Sequence, residues 1–358
     1  MKHVFLLVGA RPNFIKVAPL HRALAARGVS TTLVHTGQHY DPKMSDVFFK
    51  ELGIPEPDVN LEIGPGDRLM QTKKIVDALV PLLTSKRPDA LVVFGDVTST
   101  AAGAMAGVVA GTRVVHVEAG LRSFNWKMPE ELNRMIADHH ADLLFVTEPA
   151  GVENLKNESI PPERVHLVGN VMIDSLRAIE SRAASSSVAA TLGLAPHGYA
   201  LLTLHRPESV DDPATLKDLW ETIGAVCAKI PVVYPYHVRT KQRLEAAGLV
   251  APTGMTMIEP VGYTDMIALV KNAAFVLTDS GGLQEETSAL GVPCLTLRDE
   301  TERPITVETG TSEIVGRDRA KILDAVARAM SGAWKKGSLH PLWDGHAAER
   351  IAVILLGS

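Results

Sequence analysis

Aromatic residues make up only 5% of this 358-residue chain, against 46% hydrophobic residues overall. Its core must therefore be aliphatic, as in buried parallel strands and their covering helices. Cysteine is nearly missing. Cys227 and Cys294 lie far apart in apolar settings, which excludes a disulfide or metal framework and reads as the reduced core of a cytoplasmic protein. Long basic runs are lacking and the net charge is −5, so bulk charge gives no reason to expect a nucleic-acid partner. No apolar stretch reaches membrane-spanning length, and MKHVFLLVGARPNF lacks a small-residue cleavage site. That opening segment reads as a first strand. Neither HExxH nor a Cys/His ligand spacing occurs, so His39, His116, His139, His140 and His237 carry no metal role and no metal site is expected. GxGxxG and Walker A patterns are absent too, which disfavours a dinucleotide cofactor.

What is present is an alternation of short apolar runs with amphipathic segments, the βαβα pattern of parallel sheets covered by helices. In the first half strands are expected at His3–Gly9, Thr31–Thr36, Ala90–Gly95, Val114–Glu118, Leu143–Thr147 and Val165–Val168. Helices are expected at Asn13–Arg27, Asp67–Ser85 and Thr98–Ala110. A polar stretch, Ser181–Ala195, looks like the approach to a second domain, and the pattern then restarts at Tyr199–Leu204. The fold class is α/β, with two Rossmann-like domains facing across a cleft. Residues 1–172 form one and 173–343 the other, and a helix over about 344–358 packs back on the first. In such folds ligands sit at the carboxyl ends of the strands.

The chemistry-bearing residues fall just past those strand ends. FVLTDSGGLQEE runs from a buried strand into Asp279, Ser280, Gly281 and Gly282 and then opens a helix. Backbone N–H groups there point at one spot with the positive end of the helix dipole, which suits a phosphate. Glycines let a ligand approach closely. Glu285 and Glu286 would repel a phosphate, and one of them makes more sense as the acceptor for a ribose hydroxyl. The same stretch also reads as an ordinary strand–turn–helix.

Arg11 and Lys16 in GARPNFIK can neutralise a diphosphate beside backbone donors, or can be solvated surface charge. Arg303 in DETERPIT offers a second clamp, unless Glu300 and Glu302 hold it in a surface network. Asp96 in GDVTST either caps a helix or does chemistry. Glu118 in HVEAGLR has no capping offset, and Glu130 and Glu131 in MPEELNR fit a helix's first turn. Together these carboxylates make an acid/base cluster, since close carboxylates push their pKa values apart. His205, with Arg206 in TLHRPES, is either structural or poised to bond a leaving phosphate. Cations and glycines for a diphosphate, an acid for a ribose and carboxylates opposite suit a nucleotide-sugar.

In order along the chain, GARPNFIKVAP, GDVTSTAAG, HVEAGLRS, MPEELNR, GNVMIDS, TLHRPES, LTDSGGLQEE and RDETERP resemble the non-hydrolysing UDP-N-acetylglucosamine 2-epimerase family over nearly the whole length. The resemblance implies a glycosyltransferase-B-like fold, a UDP-sugar partner, no NAD or other cofactor, no required metal and a homodimer. It also implies interconversion of UDP-GlcNAc and UDP-ManNAc, by elimination of UDP to a 2-acetamidoglucal and re-addition with the opposite C2 configuration. Asp96, Glu118, Glu131 and His205 match the family's catalytic positions. Arg11, Lys16, Ser280, Gly281, Gly282, Glu286 and Arg303 match its UDP-binding positions. Gln38, His39, Arg206 and His237 match the neighbourhood where some members bind a second UDP-GlcNAc as an activator.

The chain departs from the best-known members at Ala10 and Asn13, where they read GTRPE, and at Pro207, where they read HRRE. Those changes leave room for a C2 epimerase of UDP-2,3-diacetamido-glucuronic acid. A glycosyltransferase of the same fold, a hydrolysing epimerase and a nucleotide-sugar sensor are the other readings, and the carboxylate trio favours the epimerase over a transferase or sensor.

Overall fold

Val4 to Val8 are all buried, and so are Ala90 to Phe94 and Val114 to Ala119, as continuous apolar runs demand of strands covered on both faces. The computed structural model describes residues 1–37 and 49–357. Its chain divides into two units, Met1–Ala178 with His340–Ser358, and Ile179–Leu339. The division falls within the helix Val171–Ala184, so the stretch beginning at Ser181 is helical at its start where the sequence suggests a linker.

Among the described residues the first unit holds β1 (His3–Val8), β2 (Ser30–His35), β3 (Val59–Asn60), β4 (Ala90–Phe94), β5 (Val114–Ala119), β6 (Leu143–Val146) and β7 (Val165–Leu167). They form one seven-stranded sheet in the order β3-β2-β1-β4-β5-β6-β7, and every pairing is parallel. The order reverses between β1 and β4, and the loops leaving those two strands diverge there, the usual place for a ligand. The helix Thr98–Ala110 begins just beyond β4, and its Ala and Gly residues let it lie close against β1 and β4.

The helix Ala347–Gly357 belongs to this first unit. Asp174 accepts from the N–H groups of Ala347 at 3.1 Å and Ala348 at 2.7 Å, which satisfies two orphan donors at that helix start. Arg350 Nε donates to the Val168 carbonyl at 2.7 Å and Trp343 Nε1 to the Thr147 carbonyl at 2.9 Å. Ile351, Ala352 and Leu355 complete the join as buried side chains.

The second unit holds β8 (Ala200–Thr203), β9 (Val232–Pro235), β10 (Met255–Ile258), β11 (Phe275–Thr278), β12 (Cys294–Thr296) and β13 (Ser312–Ile314). Their parallel order is β10-β9-β8-β11-β12-β13, again with a reversal, here between β8 and β11. Buried Tyr199 and Tyr234 keep their hydroxyls satisfied by donating to the carbonyls of Leu269 and Leu204. Among the described residues no helix is long and apolar enough to cross a membrane.

Candidate active site

In the first unit two ion-paired groups form at the carboxyl ends of β4 and β5. Lys16, on the helix Arg11–Ala25 that follows β1, places its ammonium 2.6 Å from Glu118. Gly95 follows the β4 strand with φ +65°, and a Cβ there would stand 2.6 Å from Lys16 Nζ, so another residue would strain the backbone and push that ammonium aside. Glu118 itself lies in left-handed backbone, φ +71°, where the β5–β6 register shifts. A non-glycine residue there stores strain, and such outliers concentrate at functional sites.

The second group is built on one guanidinium. Arg134, from the helix Pro129–His140, donates through Nη1 to Asp96 at 2.5 Å and through Nη2 to Glu131 at 2.7 Å. Glu131 also accepts from the Ser123 N–H, the Ser123 hydroxyl and the Phe124 N–H. Burial opposes its ionisation, but Arg134 and the Ser123 donors prevail and hold the carboxyl below the usual range. The N-cap of the helix Thr98–Ala110 is Val97, and Asp96 stands one residue before it. Its side chain keeps 20% exposure while Glu118 and Glu131 are almost fully enclosed, so Asp96 is the acid open to an incoming molecule. Asn13 takes the N–H groups of Gly9 and Ala10 at 3.1 Å each and donates to the Phe94 carbonyl, tying the turn after β1 to the end of β4.

Across the β8/β11 reversal of the second unit, His205 Nδ1 stands 2.9 Å from Asp279 Oδ1. The other oxygen of Asp279 accepts from the backbone N–H groups of His205 and Arg206 at 2.8 and 2.7 Å. Burial works against the Asp279 charge, yet His205 and these two N–H groups hold its carboxyl below the ordinary value. That geometry orients the imidazole from behind, as carboxylates do for working histidines. The His237 ring lies 5.7 Å away, centroid to centroid, and its Nδ1 accepts the Arg239 N–H at the start of the helix Val238–Ala246.

The helix Gly281–Leu290 starts at Ser280 without a side-chain cap. Buried Arg303 runs beside Gly281, where a Cβ would meet its Nη1 at 2.6 Å. Its Nε lies 2.9 Å from Glu285 and its Nη1 3.5 Å from Glu302. Glu302 makes its closer pair with Arg298, two contacts of 2.9 Å. The expected alternative of a surface network around Arg303 is therefore corrected to a buried one, because the loop after β12 folds under the helix start. Glu286 shares its site with Tyr263. Desolvation, with Glu285 nearby, pushes its carboxyl up to about 8 although the Tyr263 hydrogen bond acts the other way.

Of the residues singled out from the sequence, Asp96, Glu118, Glu131 and Lys16 gather at the strand ends of the first unit. His205, Arg206, His237, Ser280, Gly281, Gly282, Glu286 and Arg303 belong to the second. Gln38, His39 and the Arg11 side chain lie outside the described residues. Five residues of these groups escaped sequence reasoning: Arg134, Asp279 as the partner of His205, Tyr263, and His116 with its Asp138. Arg134 lies inside MPEELNR, three residues after Glu131 and so on the same helix face, which was the available signal.

The model of the family described as UDP-N-acetylglucosamine 2-epimerase matches residues 22–356. This chain belongs to that family. It is 39% identical over 359 residues to the UDP-N-acetylglucosamine 2-epimerase of Methanocaldococcus jannaschii, covering 98% of both chains. It is also 39% identical to the UDP-2,3-diacetamido-2,3-dideoxy-D-glucuronate 2-epimerase of Pseudomonas aeruginosa, over 98% of this chain and 99% of that one. A crystal structure of the Methanocaldococcus jannaschii UDP-GlcNAc 2-epimerase with UDP-GlcNAc and UDP superposes with a TM-score of 0.92 at 39% identity, covering both chains in full. The fold class is thus the glycosyltransferase-B-like one of two Rossmann-like α/β domains. Two relatives of different substrate stand at one identity, so family membership fixes the reaction class more tightly than the sugar.

Proposed function

We propose that this protein interconverts UDP-GlcNAc and UDP-ManNAc. The observation that carries the reading is Arg134 gripping Asp96 and Glu131 together, with strained Glu118 on Lys16 at the next strand end. The C2 proton has no adjacent carbonyl to acidify it, so the route is elimination. One carboxylate removes C2–H as the C1–O bond to the β-phosphate breaks, giving 2-acetamidoglucal and UDP. A diphosphate oxygen then returns to C1 while a carboxylic acid on the other face delivers a proton to C2. Asp96, Glu118 and Glu131 are the proton-handling groups. In the second unit His205, Arg303 and the backbone donors at Ser280, Gly281 and Gly282 take the diphosphate charge, and in the first Lys16 and Arg11 are cations of the UDP-binding set. Glu286 receives the ribose.

Purified protein incubated with UDP-GlcNAc in D2O and followed by proton NMR tests this. Deuterium at C2 together with a UDP-ManNAc signal supports it. Free ManNAc would mean hydrolysis, and no change without an acceptor would mean a transferase or another sugar. The second reading, UDP-2,3-diacetamido-glucuronic acid as substrate, draws on the Pseudomonas aeruginosa relative and on Ala10 and Asn13, and the same experiment with that sugar decides between them.

A homodimer belongs to the same proposal. Helix Arg11–Ala25 spends its apolar face on the core, whereas Thr98–Ala110 leaves Met105, Val108 and Val109 exposed for a second copy. Sedimentation of wild type against Val109→Asp checks it. Whether a second UDP-GlcNAc activates the protein is read from the reverse reaction, where activation shows as a lag that added UDP-GlcNAc abolishes.

A further inference from the structure

His116 sits in the middle of β5 between Val115 and Val117, paired across to Val93, and is completely buried. An apolar side chain would suit that place better, since buried ionic groups seldom add stability over well-packed hydrophobic ones. The ring has two partners. Nε2 is 2.7 Å from the Gly95 carbonyl oxygen and Nδ1 is 2.7 Å from Asp138 Oδ1. A carbonyl oxygen only accepts, so Nε2 carries hydrogen. Asp138 Oδ2 already accepts from the Gly120 N–H at 3.1 Å and lies 2.8 Å from Arg122 Nη1, the surroundings of an ionised carboxylate. Asp138 thus holds the other side of the ring, so the imidazole is fixed between a carboxylate and a backbone carbonyl. Glu158 closes the group with two contacts of 2.7 Å to Arg122.

The two ends of this group matter more than its middle. The Gly95 carbonyl belongs to the peptide unit whose N–H is that of Asp96, so fixing the oxygen fixes the plane that aims Asp96. Gly120 follows Glu118 by two residues at φ +79°, so its N–H bond holds the turn on the far side of Glu118. We infer that His116, held by Asp138, is a positioning residue that locks the turn before Asp96 and the turn after Glu118 into one geometry. The inference rests on the reading of Asp96 and Glu118 as the proton-handling carboxylates. Neither His116 nor Asp138 touches the substrate in this account. Their contribution is to hold two reacting groups in register, where an ångström of misplacement costs up to about 100-fold in rate.

Two substitutions separate this from plain structural support. His116→Asn retains an N–H near the Nδ1 position, toward Asp138, but is too short to reach Gly95. His116→Gln places one near the Nε2 position and keeps the Gly95 bond. With UDP-GlcNAc as substrate, His116→Asn is expected to lose about 10- to 100-fold in kcat with KM within about twofold. His116→Gln recovers most of that loss although its melting temperature falls as far. Equal kcat in the two variants, scaling only with the folded fraction, overturns the inference. If His116→Asn does not fold, Asp138→Asn carries the test with the same kcat loss expected, and wild-type kcat there overturns it. A wild type that incorporates no deuterium at C2 fails the catalytic reading itself, and the positioning role with it. That outcome is distinct from an active wild type with indifferent variants.

Discussion

The first unit places three carboxylates, Asp96, Glu118 and Glu131, against two cations, Lys16 and Arg134, and leaves one acid partly open. The second unit matches Arg298 and Arg303 to Glu302 and Glu285 and keeps Glu286 neutral beside Tyr263. Glu131 is pulled below the carboxylate range by Arg134, while desolvation lifts Glu286 well above it. Groups of one chemical type are thus sorted by surroundings: a guanidinium and hydroxyl and amide donors favour the charged form of Glu131, and burial without a dedicated cation disfavours that of Glu286. The difference teaches where to look for chemistry and where for grip.

That contrast breaks most visibly at the open end of the first unit. Asp96→Asn or Glu118→Gln should lower kcat by about 10²–10⁴-fold while UDP affinity, measured by calorimetry, stays within a few-fold. Loss of UDP affinity instead would move these acids out of proton chemistry. In the second unit Arg303→Met should do the reverse. It strips Glu285 of its buried partner, and chemical denaturation should show a loss of about 3–5 kcal/mol along with weakened UDP binding. Adding Glu285→Gln should restore much of the stability without restoring the binding.

A smaller effect sharpens the border between the two kinds of site. Asp279→Asn keeps the shape behind His205 but removes the charge, and about a 10- to 100-fold loss in kcat is expected in steady-state kinetics. Smallest is a pH slope. The Glu286 carboxyl is raised when folded, so the folded protein holds a proton that the unfolded chain releases. Its stability cost is absent below the ordinary carboxyl range, grows with rising pH, and is complete above about 8. Wild type should therefore lose up to about 1.4 kcal/mol per pH unit in that window relative to Glu286→Gln. Identical profiles for the two would return Glu286 to the charged state.

Much of the fold was legible because buried parallel strands are written as apolar runs that stop at small or polar residues. Phe275–Thr278 ends at Asp279 and Ala90–Phe94 at Gly95. Asp67 marked its helix start for a local reason, since its side chain accepts the backbone N–H groups of Leu69 and Met70. What escaped were edge strands. Val59–Asn60, Met255–Ile258 and Ser312–Ile314 are short and only partly buried, so they carry little apolar signal. Helix Val238–Ala246 was hidden the other way, by a polar composition with only Thr240 and Leu244 buried.

The site followed the same logic. Acids just past strand ends stood out, but a guanidinium serving two of them from a later helix did not. Nor did His116, whose neighbours in sequence are valines and whose partners are 21 and 22 residues away. Which atoms meet across a sheet is a matter of register, and register is not written in any one stretch.

The docking of Ala347–Gly357 onto Asp174 bears on how the protein is made. Everything between Ile179 and Leu339 is inserted into the first unit, so that unit waits for the helix Ala347–Gly357 until the whole second unit has left the ribosome. Until then the nascent chain carries Asp174 and the apolar pocket for Ile351 uncovered. Products that stop short of this helix would expose that greasy seam to chaperones and proteases, which ties burial of the seam to translation of the whole inserted unit.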